Sequence, residues 1–216
     1  MDSQTLADAI AGMGVVPVIA IEDGTAALAL GDALLDGGLP IAEVTFRTRA
    51  AAAAIETLAR ERPQLMTGAG TVLTRADLNA AKLSGARFGF APGFNPDIVR
   101  AARDLDMVFI PGIATPSELE QALALGCTIV KFFPAESLGG LDMLNAIAGP
   151  YLHTGIKFVP TGGVQPGNLE AYLTCKSVLG VGGTWLAKKD DIAAGNWNGI
   201  RERCRAAVAM VRRLRG

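Results

Sequence analysis

A lysine interrupts an apolar stretch of the sequence, Thr-Ile-Val-Lys-Phe-Phe-Pro, and this lysine is Lys131. A charged ammonium group is costly to bury, so a position inside a central strand favours the neutral amine. A neutral amine attacks carbonyl carbon atoms, which is the first step of Schiff-base catalysis. A structural interpretation is also open, in which the lysine stem packs in the core and the ammonium group reaches solvent at the rim.

Glu43 and Arg47 break a second apolar stretch, Ile-Ala-Glu-Val-Thr-Phe-Arg-Thr. In a strand, Glu43, Thr45 and Arg47 share one face because successive side chains alternate. A carboxylate there can remove and return protons during cleavage of a carbon–carbon bond. A guanidinium group nearer the end of the strand can bind a substrate carboxylate through two hydrogen bonds. The alternative is a structural pair, in which Arg47 or Lys131 only neutralises Glu43.

Hydroxyl residues and glycine pairs follow the ends of other apolar stretches. Thr71 comes directly after Thr-Gly-Ala-Gly, where its hydroxyl either binds a substrate or only begins a turn. Two later stretches end in Thr161-Gly162-Gly163 and in Gly182-Gly183-Thr184. Glycine lets backbone N–H groups approach a phosphate, and a hydroxyl adds a donor. These pairs favour phosphate binding over plain turns.

Eight short stretches rich in β-branched and aromatic residues position these side chains, and they recur about every 20 to 30 residues. They are Val15–Ile21, Ile41–Phe46, Leu65–Gly70, Arg87–Pro92, Met107–Gly112, Thr128–Pro134, Lys157–Gly163 and Ser177–Gly183. Alternation with helices predicts a parallel sheet in an α/β fold. Eight such units can close into a (β/α)8 TIM barrel; a doubly wound open sheet is the alternative.

Helical apolar spacing fills the segments between several of these strands. The predicted helices include Ala26–Leu35, Ala50–Ala59 and Ser117–Leu125, with a short amphipathic N-terminal helix near residues 3–12 that closes the bottom of the barrel. The predicted N-caps are Thr25, Thr48, Thr74, Asn95 and Thr115. Active sites of such barrels lie at the carboxyl ends of the strands, and phosphate sites use the loops after strands seven and eight. Lys157 opens the seventh strand and is therefore expected at the opposite end.

The composition narrows the class of protein. The chain has 216 residues, 50% of them hydrophobic, with no linker-like segment, so residues 1–216 are expected to form one domain. A net charge of −1 does not suggest a nucleic-acid partner, and the C-terminal arginines are expected on a solvated helix face. The three cysteines are widely spaced and predict reduced thiols in a cytoplasmic protein. We expect no signal peptide, no membrane span and no metal site, and His153 is expected at the surface.

Five segments, in this order, resemble the 2-keto-3-deoxy-6-phosphogluconate (KDPG) aldolases, also known as 4-hydroxy-2-oxoglutarate (KHG) aldolases. The segments are Glu43–Thr48, Gly68–Leu73, Lys131–Glu136, Pro160–Gly163 and Gly182–Trp185, and the resemblance runs from about Val15 to near the C-terminus. It implies a class I aldolase, a lyase that cleaves KDPG into pyruvate and D-glyceraldehyde 3-phosphate. Cleavage of 4-hydroxy-2-oxoglutarate to pyruvate and glyoxylate is a second expected activity. The family also implies a cytoplasmic homotrimer of the Entner–Doudoroff pathway.

The resemblance also implies roles for individual residues. Lys131 forms the imine with the keto carbon, and Glu43 moves protons through water. The substrate-binding residues are Arg47, Thr71 and Pro92 at the pyruvyl end, and Thr161, Gly162, Gly163, Gly183 and Thr184 at the hydroxyl and phosphate end. The protonated imine accepts electrons during cleavage, so neither a metal nor an organic cofactor is expected.

Small departures from the family pattern and three rival functions remain. Phe46 stands where leucine is expected, and Thr184 where serine is expected. Thr161 favours the gluconate over the galactonate epimer, whose aldolases tend to lack this threonine. The rivals are the galactonate-series aldolase, a phosphosugar isomerase or epimerase that forms no imine, and a non-catalytic barrel that binds a phosphorylated ligand.

Overall fold

The computed structural model describes the whole chain, Met1–Gly216, in which strands alternate with helices. The strands are β1 (Val15–Ile19), β2 (Ile41–Thr45), β3 (Met66–Gly70), β4 (Phe88–Phe90), β5 (Val108–Ile110), β6 (Gly112–Ile113), β7 (Ile129–Phe132), β8 (Lys157–Pro160) and β9 (Val181–Gly183). The α-helices are α1 (Ser3–Met13), α2 (Ala27–Asp36), α3 (Ala51–Glu61), α4 (Arg75–Leu83), α5 (Pro96–Asp104), α6 (Pro116–Ala124), α7 (Gly140–Ala148), α8 (Pro166–Thr174), α9 (Lys189–Ala193) and α10 (Trp197–Arg215).

The strands form a curled parallel sheet. Six of them pair in the order β5-β4-β3-β2-β1-β9, and β6, β7 and β8 form a second ladder. Isolated parallel bridges from Phe158 to Val178 and from Thr161 to Gly182 connect β8 with the segment that contains β9. The predicted α/β class with a parallel sheet is therefore confirmed.

Each of the eight predicted stretches contains a strand, but two differ from the prediction. The fifth is split at Pro111 into β5, which pairs with β4, and β6, which pairs with β7. Proline has no N–H group to donate to a ladder, and its own carbonyl accepts a hydrogen bond from Lys131 N at 2.8 Å. In the eighth stretch only Val181–Gly183 is a strand.

Three of the five predicted N-caps are confirmed. Thr74, Asn95 and Thr115 each accept a hydrogen bond from a backbone N–H in the first turn of α4, α5 and α6. The other two predictions are wrong. Asp23 accepts from Thr25 N in a 3-10 turn, and the Thr48 hydroxyl donates to Ile21 O at 2.6 Å. The sequence pattern predicted that the Thr48 hydroxyl caps helix α3. In the structure this hydroxyl is instead bonded to the Ile21 carbonyl, which is distant in sequence.

The concave face of the sheet has its own apolar core. Val16, Ile41, Phe88, Ile129 and Val159 pack there, together with other strand residues. Leu6 and Ile10 of α1 belong to the same cluster, which confirms that the N-terminal helix covers one end of the sheet. A larger cluster fills the space between the convex face and the surrounding helices. Glu43 of β2 and Lys131 of β7 are the next residues on the concave side after Ile41 and Ile129, so they lie beside this packed apolar cluster.

The arginines of α10 do not all lie free in solvent, which corrects the prediction for this helix. Arg203 pairs with Asp191 at 2.6 Å, and Arg213 pairs with Glu170 at 2.6 Å. Arg215 is half-buried and donates to four backbone carbonyls, those of Ala11, Leu173, Val178 and Leu179. None of the helices combines the length and the apolar composition that crossing a bilayer requires.

Candidate active site

Lys131 of β7 and Glu43 of β2 form a buried pair on the concave face. The Lys131 Nζ atom lies 3.1 Å from Glu43 Oε1, and the two side chains are 6% and 1% exposed. Two residues earlier on the same strands, Ile129 and Ile41 belong to the concave core. Since side chains alternate along a strand, the pair lies directly above this apolar layer. The lysine predicted from its apolar context is thus buried and bonded to the predicted carboxylate.

Glycine in β3 makes room for the Glu43 side chain. Gly70 lies opposite Thr45 in the β2–β3 register, next to the position opposite Val44. A Cβ atom added to Gly70 would lie 2.2 Å from Glu43 Oε1 and 2.6 Å from its Cγ. Such a contact is well inside van der Waals distance, so a side chain at this position would displace the carboxylate. Gly70 therefore sets where Glu43 can lie relative to Lys131.

Two phenylalanine rings lie beside the Lys131 ammonium group. The ring centres of Phe90 and Phe133 are 5.3 and 5.7 Å from Nζ. Aromatic faces attract a cation and exclude water from a site. Neither ring was predicted as a site residue, although Phe133 follows Lys131 by two residues, a spacing that favours the same side of an extended chain. Phe90 could not be assigned this way, because its strand is distant in sequence.

Arg47 lies at the rim and is not the partner of Glu43. The residue is exposed, and its Nε atom donates to Thr45 Oγ1 at 3.1 Å. The Thr45 hydroxyl in turn donates to Ile19 O at 2.8 Å, which fixes its orientation. Alternation along this stretch predicted Thr45 on the same face as Glu43, but no role was predicted for its hydroxyl. Its buried hydroxyl orients the guanidinium group and leaves the two terminal nitrogens of Arg47 available to a carboxylate.

Thr71 follows β3 in a strained backbone conformation. Its φ angle is 56°, in the left-handed region that a β-branched residue rarely adopts. Left-handed backbone costs a non-glycine residue about 1–2 kcal/mol. Strain of this kind concentrates at functional sites, where the surrounding structure maintains it. Thr71 directly follows Gly70, so it lies at the strand end nearest the Glu43 carboxylate.

Pro92 lies in the loop after β4, close to the strand that neighbours Lys131. A Cβ atom on Gly112 would lie 2.2 Å from the carbonyl carbon and oxygen of Pro92. Gly112 itself is opposite Lys131 in the β6–β7 register. Only a residue without a side chain permits this close approach of β6 to the loop after β4. Pro92 is therefore held one strand away from the lysine.

The two glycine pairs come together at the strand ends of β8 and β9. Thr161 and Gly182 form a bridge, and a Cβ atom on Gly182 would lie 2.2 Å from Thr161 Oγ1. Gly162 and Gly163 have φ angles of 98° and 82°, which glycine adopts without strain. Their N–H groups, and that of Thr184, donate to no protein acceptor. The predicted phosphate-binding segments are thus adjacent and present free donors.

The position of Gly183 and Thr184 completes this part of the site. Gly183 is buried, and a Cβ atom there would lie 2.8 Å from the Trp185 ring. Thr184, in contrast, is exposed at the end of β9. Thr161 is buried, so the two threonines present hydroxyl groups at different depths. This arrangement suits a ligand that enters the concave face from the carboxyl ends of the strands.

Comparison with models of known protein families identifies the family of the chain. A family model described as KDPG and KHG aldolase matches residues 7–203. The chain belongs to the KDPG and KHG aldolase family.

Individual members of the KDPG and KHG aldolase family match nearly the whole chain. The 2-dehydro-3-deoxy-phosphogluconate aldolase of Haemophilus influenzae is 39% identical over 210 residues, covering 97% of this chain and 98% of the relative. The KHG/KDPG aldolase of Escherichia coli K12 is 42% identical over 206 residues, with 95% and 96% covered. A solved KDPG aldolase from Legionella pneumophila, holding pyruvate as a covalent carbinolamine intermediate, has a TM-score of 0.89 and 39% identity, covering 93% of this chain and 97% of its own.

Other reactive side chains of this family member lie away from the pair. Lys157 begins β8, and its Nζ atom donates to Lys176 O at 3.0 Å. Burial raises the pKa of the Cys127 thiol to about 11 and that of Cys204 to about 12, so both remain protonated at neutral pH. His153 is exposed in a 3-10 segment, and no three His, Cys, Asp or Glu side chains are close enough to hold a metal ion. The polar chemistry is concentrated around Lys131.

Proposed function

We propose that this chain is a class I aldolase that cleaves KDPG into pyruvate and D-glyceraldehyde 3-phosphate through an imine on Lys131. The observation that carries the proposal is the buried Lys131–Glu43 pair, with 3.1 Å between Nζ and Oε1. The relatives named as 2-dehydro-3-deoxy-phosphogluconate aldolases support the substrate. The Legionella pneumophila structure with a covalent pyruvate carbinolamine supports the covalent chemistry.

Imine formation requires the neutral amine of Lys131, which the ammonium group becomes once it has given up a proton. A proton passes from Nζ to the Glu43 carboxylate, directly or through water, and the amine attacks the keto carbon of the substrate. The resulting carbinolamine loses its hydroxyl group as water, after protonation by the Glu43 carboxylic acid. The product is a protonated imine between Lys131 and the keto carbon. Because proton transfer within the pair changes no net charge, the buried site can host both forms.

Cleavage then uses the protonated imine as the electron acceptor. Glu43, through water, removes the proton from the C4 hydroxyl group, and the C3–C4 bond breaks as the C4 aldehyde forms. The bonding electrons move into the imine and give an enamine. Return of the proton to C3 regenerates the imine, and water hydrolyses it to pyruvate and free Lys131. The substrate, Lys131, Glu43 and water supply every proton and electron that these steps use, so the proposed reaction needs neither a metal nor an organic cofactor.

Residues at the strand ends bind the two ends of the substrate. Arg47 and Thr71 hold the pyruvyl carboxylate, with Pro92 packed beside it. The free terminal nitrogens of Arg47 and the hydroxyl at the strained Thr71 support this assignment. The phosphate and the distal hydroxyl groups bind to Thr161, Gly162, Gly163, Gly183 and Thr184. The free backbone donors of this turn support the phosphate end.

Several broader features belong to the same proposal. The curled sheet closes into a single (β/α)8 barrel domain over residues 1–216, a closure supported by the two bridges between β8 and the β9 segment. The enzyme is a cytoplasmic homotrimer, as its resemblance to the family implies. KHG is a second substrate, supported by the name of the Escherichia coli relative. Thr161 beside Gly182 favours the gluconate epimer over the galactonate epimer.

Trapping with sodium borohydride tests the central step. Incubation with pyruvate and borohydride should leave a reduced pyruvyl adduct, which peptide mass spectrometry should place on Lys131. Lys131→Ala should abolish the adduct, whereas Lys157→Ala, which removes a lysine from the neighbouring strand, should retain it. Absence of the adduct, or its location on another lysine, would contradict the proposed mechanism. The chain would then be interpreted as an isomerase that forms no imine, or as a binding protein. Relative rates on KDPG, its galactonate epimer and KHG then rank the substrates.

A further inference from the structure

A buried tyrosine is hydrogen-bonded to a carboxylate beside the glycine turn of the proposed phosphate site. Tyr172 of α8 is 1% exposed, and its hydroxyl donates to Glu136 Oε1. Glu136 begins a 3-10 turn, Glu136–Leu138, five residues after Lys131. Burial, with the carboxylate nearby, raises the pKa of Tyr172 above its ordinary value, so the hydroxyl keeps its proton and remains a donor.

Glu136 contacts the glycine turn through both its backbone and its side chain. Its N–H donates to Gly162 O at 3.0 Å. A Cβ atom on Gly163 would lie 2.5 Å from Glu136 Cβ and 2.6 Å from Cγ, so the side-chain stem lies flat against this glycine. On its other side, a Cβ atom on Gly140 would lie 3.0 Å from Glu136 Oε1. The carboxylate therefore has a defined location even though the residue is at the surface.

Helix α8 holds the same turn at a second point. Asn168 Nδ2 donates to Gly163 O at 3.3 Å, while Asn168 Oδ1 accepts from Gln165 N at 2.7 Å. Protein donors thus occupy the carbonyl groups of both Gly162 and Gly163. The N–H groups are the polar atoms that the turn still offers to an anion. The direction of these N–H groups depends on the contacts that α8 and the turn after β7 make with the two glycines.

We infer that Glu136 and Tyr172 are positioning residues that hold the Gly162-Gly163 turn in the geometry that binds the substrate phosphate. Neither residue needs to touch the reacting carbon atoms. Tyr172 fixes the Glu136 side chain, and Glu136 fixes the turn through its N–H and its stem. Loss of the tyrosine hydroxyl also frees a carboxylate next to an anion site, where its negative charge opposes phosphate binding. This inference rests on the proposed function, because it assigns the turn to the phosphate.

Tyr172→Phe removes one hydroxyl group and retains the ring that packs in the core. The KM for KDPG should rise by about fivefold, the scale of one net intramolecular hydrogen bond. The kcat should stay within about twofold, because Lys131 and Glu43 are untouched. Exchange of deuterium into the methyl group of pyruvate, which needs only the pyruvyl end of the site, should be unchanged.

Glu136 variants separate the hydrogen bond from the charge. Glu136→Ala should raise the KM as Tyr172→Phe does, whereas Glu136→Gln should keep it within about twofold of wild type, because an amide oxygen accepts the same hydrogen bond. Tyr151→Phe is the control: its hydroxyl donates to Glu120 at 2.8 Å in an exposed pair outside the site. That variant should leave all three readouts unchanged.

Two results would overturn the inference. One is an unchanged KM in Tyr172→Phe and Glu136→Ala; the other is an equal loss of kcat and of pyruvate exchange, which would indicate a general structural role. A failure of the proposed function itself gives a different result. In that case the wild-type protein would form no borohydride adduct with pyruvate and would catalyse no deuterium exchange.

Discussion

Lys131 and Glu43 are 88 residues apart in sequence, yet Lys131 Nζ donates to Glu43 Oε1 at 3.1 Å on the concave face of the sheet. Taking two charges out of water is costly, and their mutual attraction offsets that cost only while both partners are present. The pair therefore links stability to the proposed chemistry. The same proximity that lets a proton move between the two groups makes each of them dependent on the other.

The first prediction concerns the stability of this pair. Lys131→Met leaves a buried carboxylate without its partner and should lower the free energy of unfolding by about 3–5 kcal/mol. The double variant Lys131→Met/Glu43→Leu should be more stable than Lys131→Met alone, because no buried charge remains. Urea unfolding of the single and double variants measures this coupling. The same cycle on the exposed pair Lys189–Glu22 should give about 0–1 kcal/mol. Additive losses at Lys131 and Glu43 would contradict the prediction.

The second prediction concerns the glycine beneath the carboxylate. Gly70→Ala places a methyl group 2.2 Å from the position of Glu43 Oε1, so the carboxylate must move. We expect kcat to fall by about tenfold to a hundredfold, because small displacements of catalytic groups cause losses of this size. Steady-state cleavage of KDPG measures this effect. Gly149→Ala is the control, since nothing lies within 4 Å of an added Cβ atom there. Equal activity in the two variants would show that Gly70 does not set the Glu43 position.

The third prediction concerns the strained threonine. Thr71→Gly relieves a left-handed conformation, so the free energy of unfolding should stay within about 1 kcal/mol of wild type or rise. The lost hydroxyl should raise the KM for KDPG by about two- to tenfold, the scale of one neutral hydrogen bond. Thr71→Ser keeps the hydroxyl and should keep the KM. If Thr71→Gly has the wild-type KM, the hydroxyl does not bind the substrate.

The fourth prediction concerns the C-terminal helix. Arg215 joins the end of α10 to four carbonyl groups from α1, α8 and the segment before β9. Arg215→Ala should lower the free energy of unfolding by about 2–3 kcal/mol, because the buried carbonyl groups lose a charged donor. Arg213→Ala removes an exposed ion pair with Glu170 and should cost about 0–1 kcal/mol. Thermal unfolding compares the two variants. Similar losses in both would show that the carbonyl contacts of Arg215 contribute nothing specific.

Sequence alone predicted the features that depend on local pattern. The alternation of strand and helix predicted the parallel α/β architecture, and period-two alternation predicted one face for Glu43 and Thr45. Lys131 was selected because a charged residue is rare inside an apolar strand. Thr74 and Thr115 were recognised as caps because each is a threonine at the start of a helical pattern, where its hydroxyl can accept from a backbone N–H of the first turn. In each case the deciding interactions join residues that are close in sequence.

Only the tertiary structure decided which distant groups meet. It paired Glu43 with Lys131 rather than with Arg47, and it directed the Thr48 hydroxyl to the carbonyl of Ile21 in the loop after β1. It also brought Tyr172 to Glu136 and Arg215 to the carbonyls of α1 and α8. These contacts depend on strand register, on sheet curvature and on how each helix packs. Such quantities are set by the whole core at once, so no local stretch of sequence contains them.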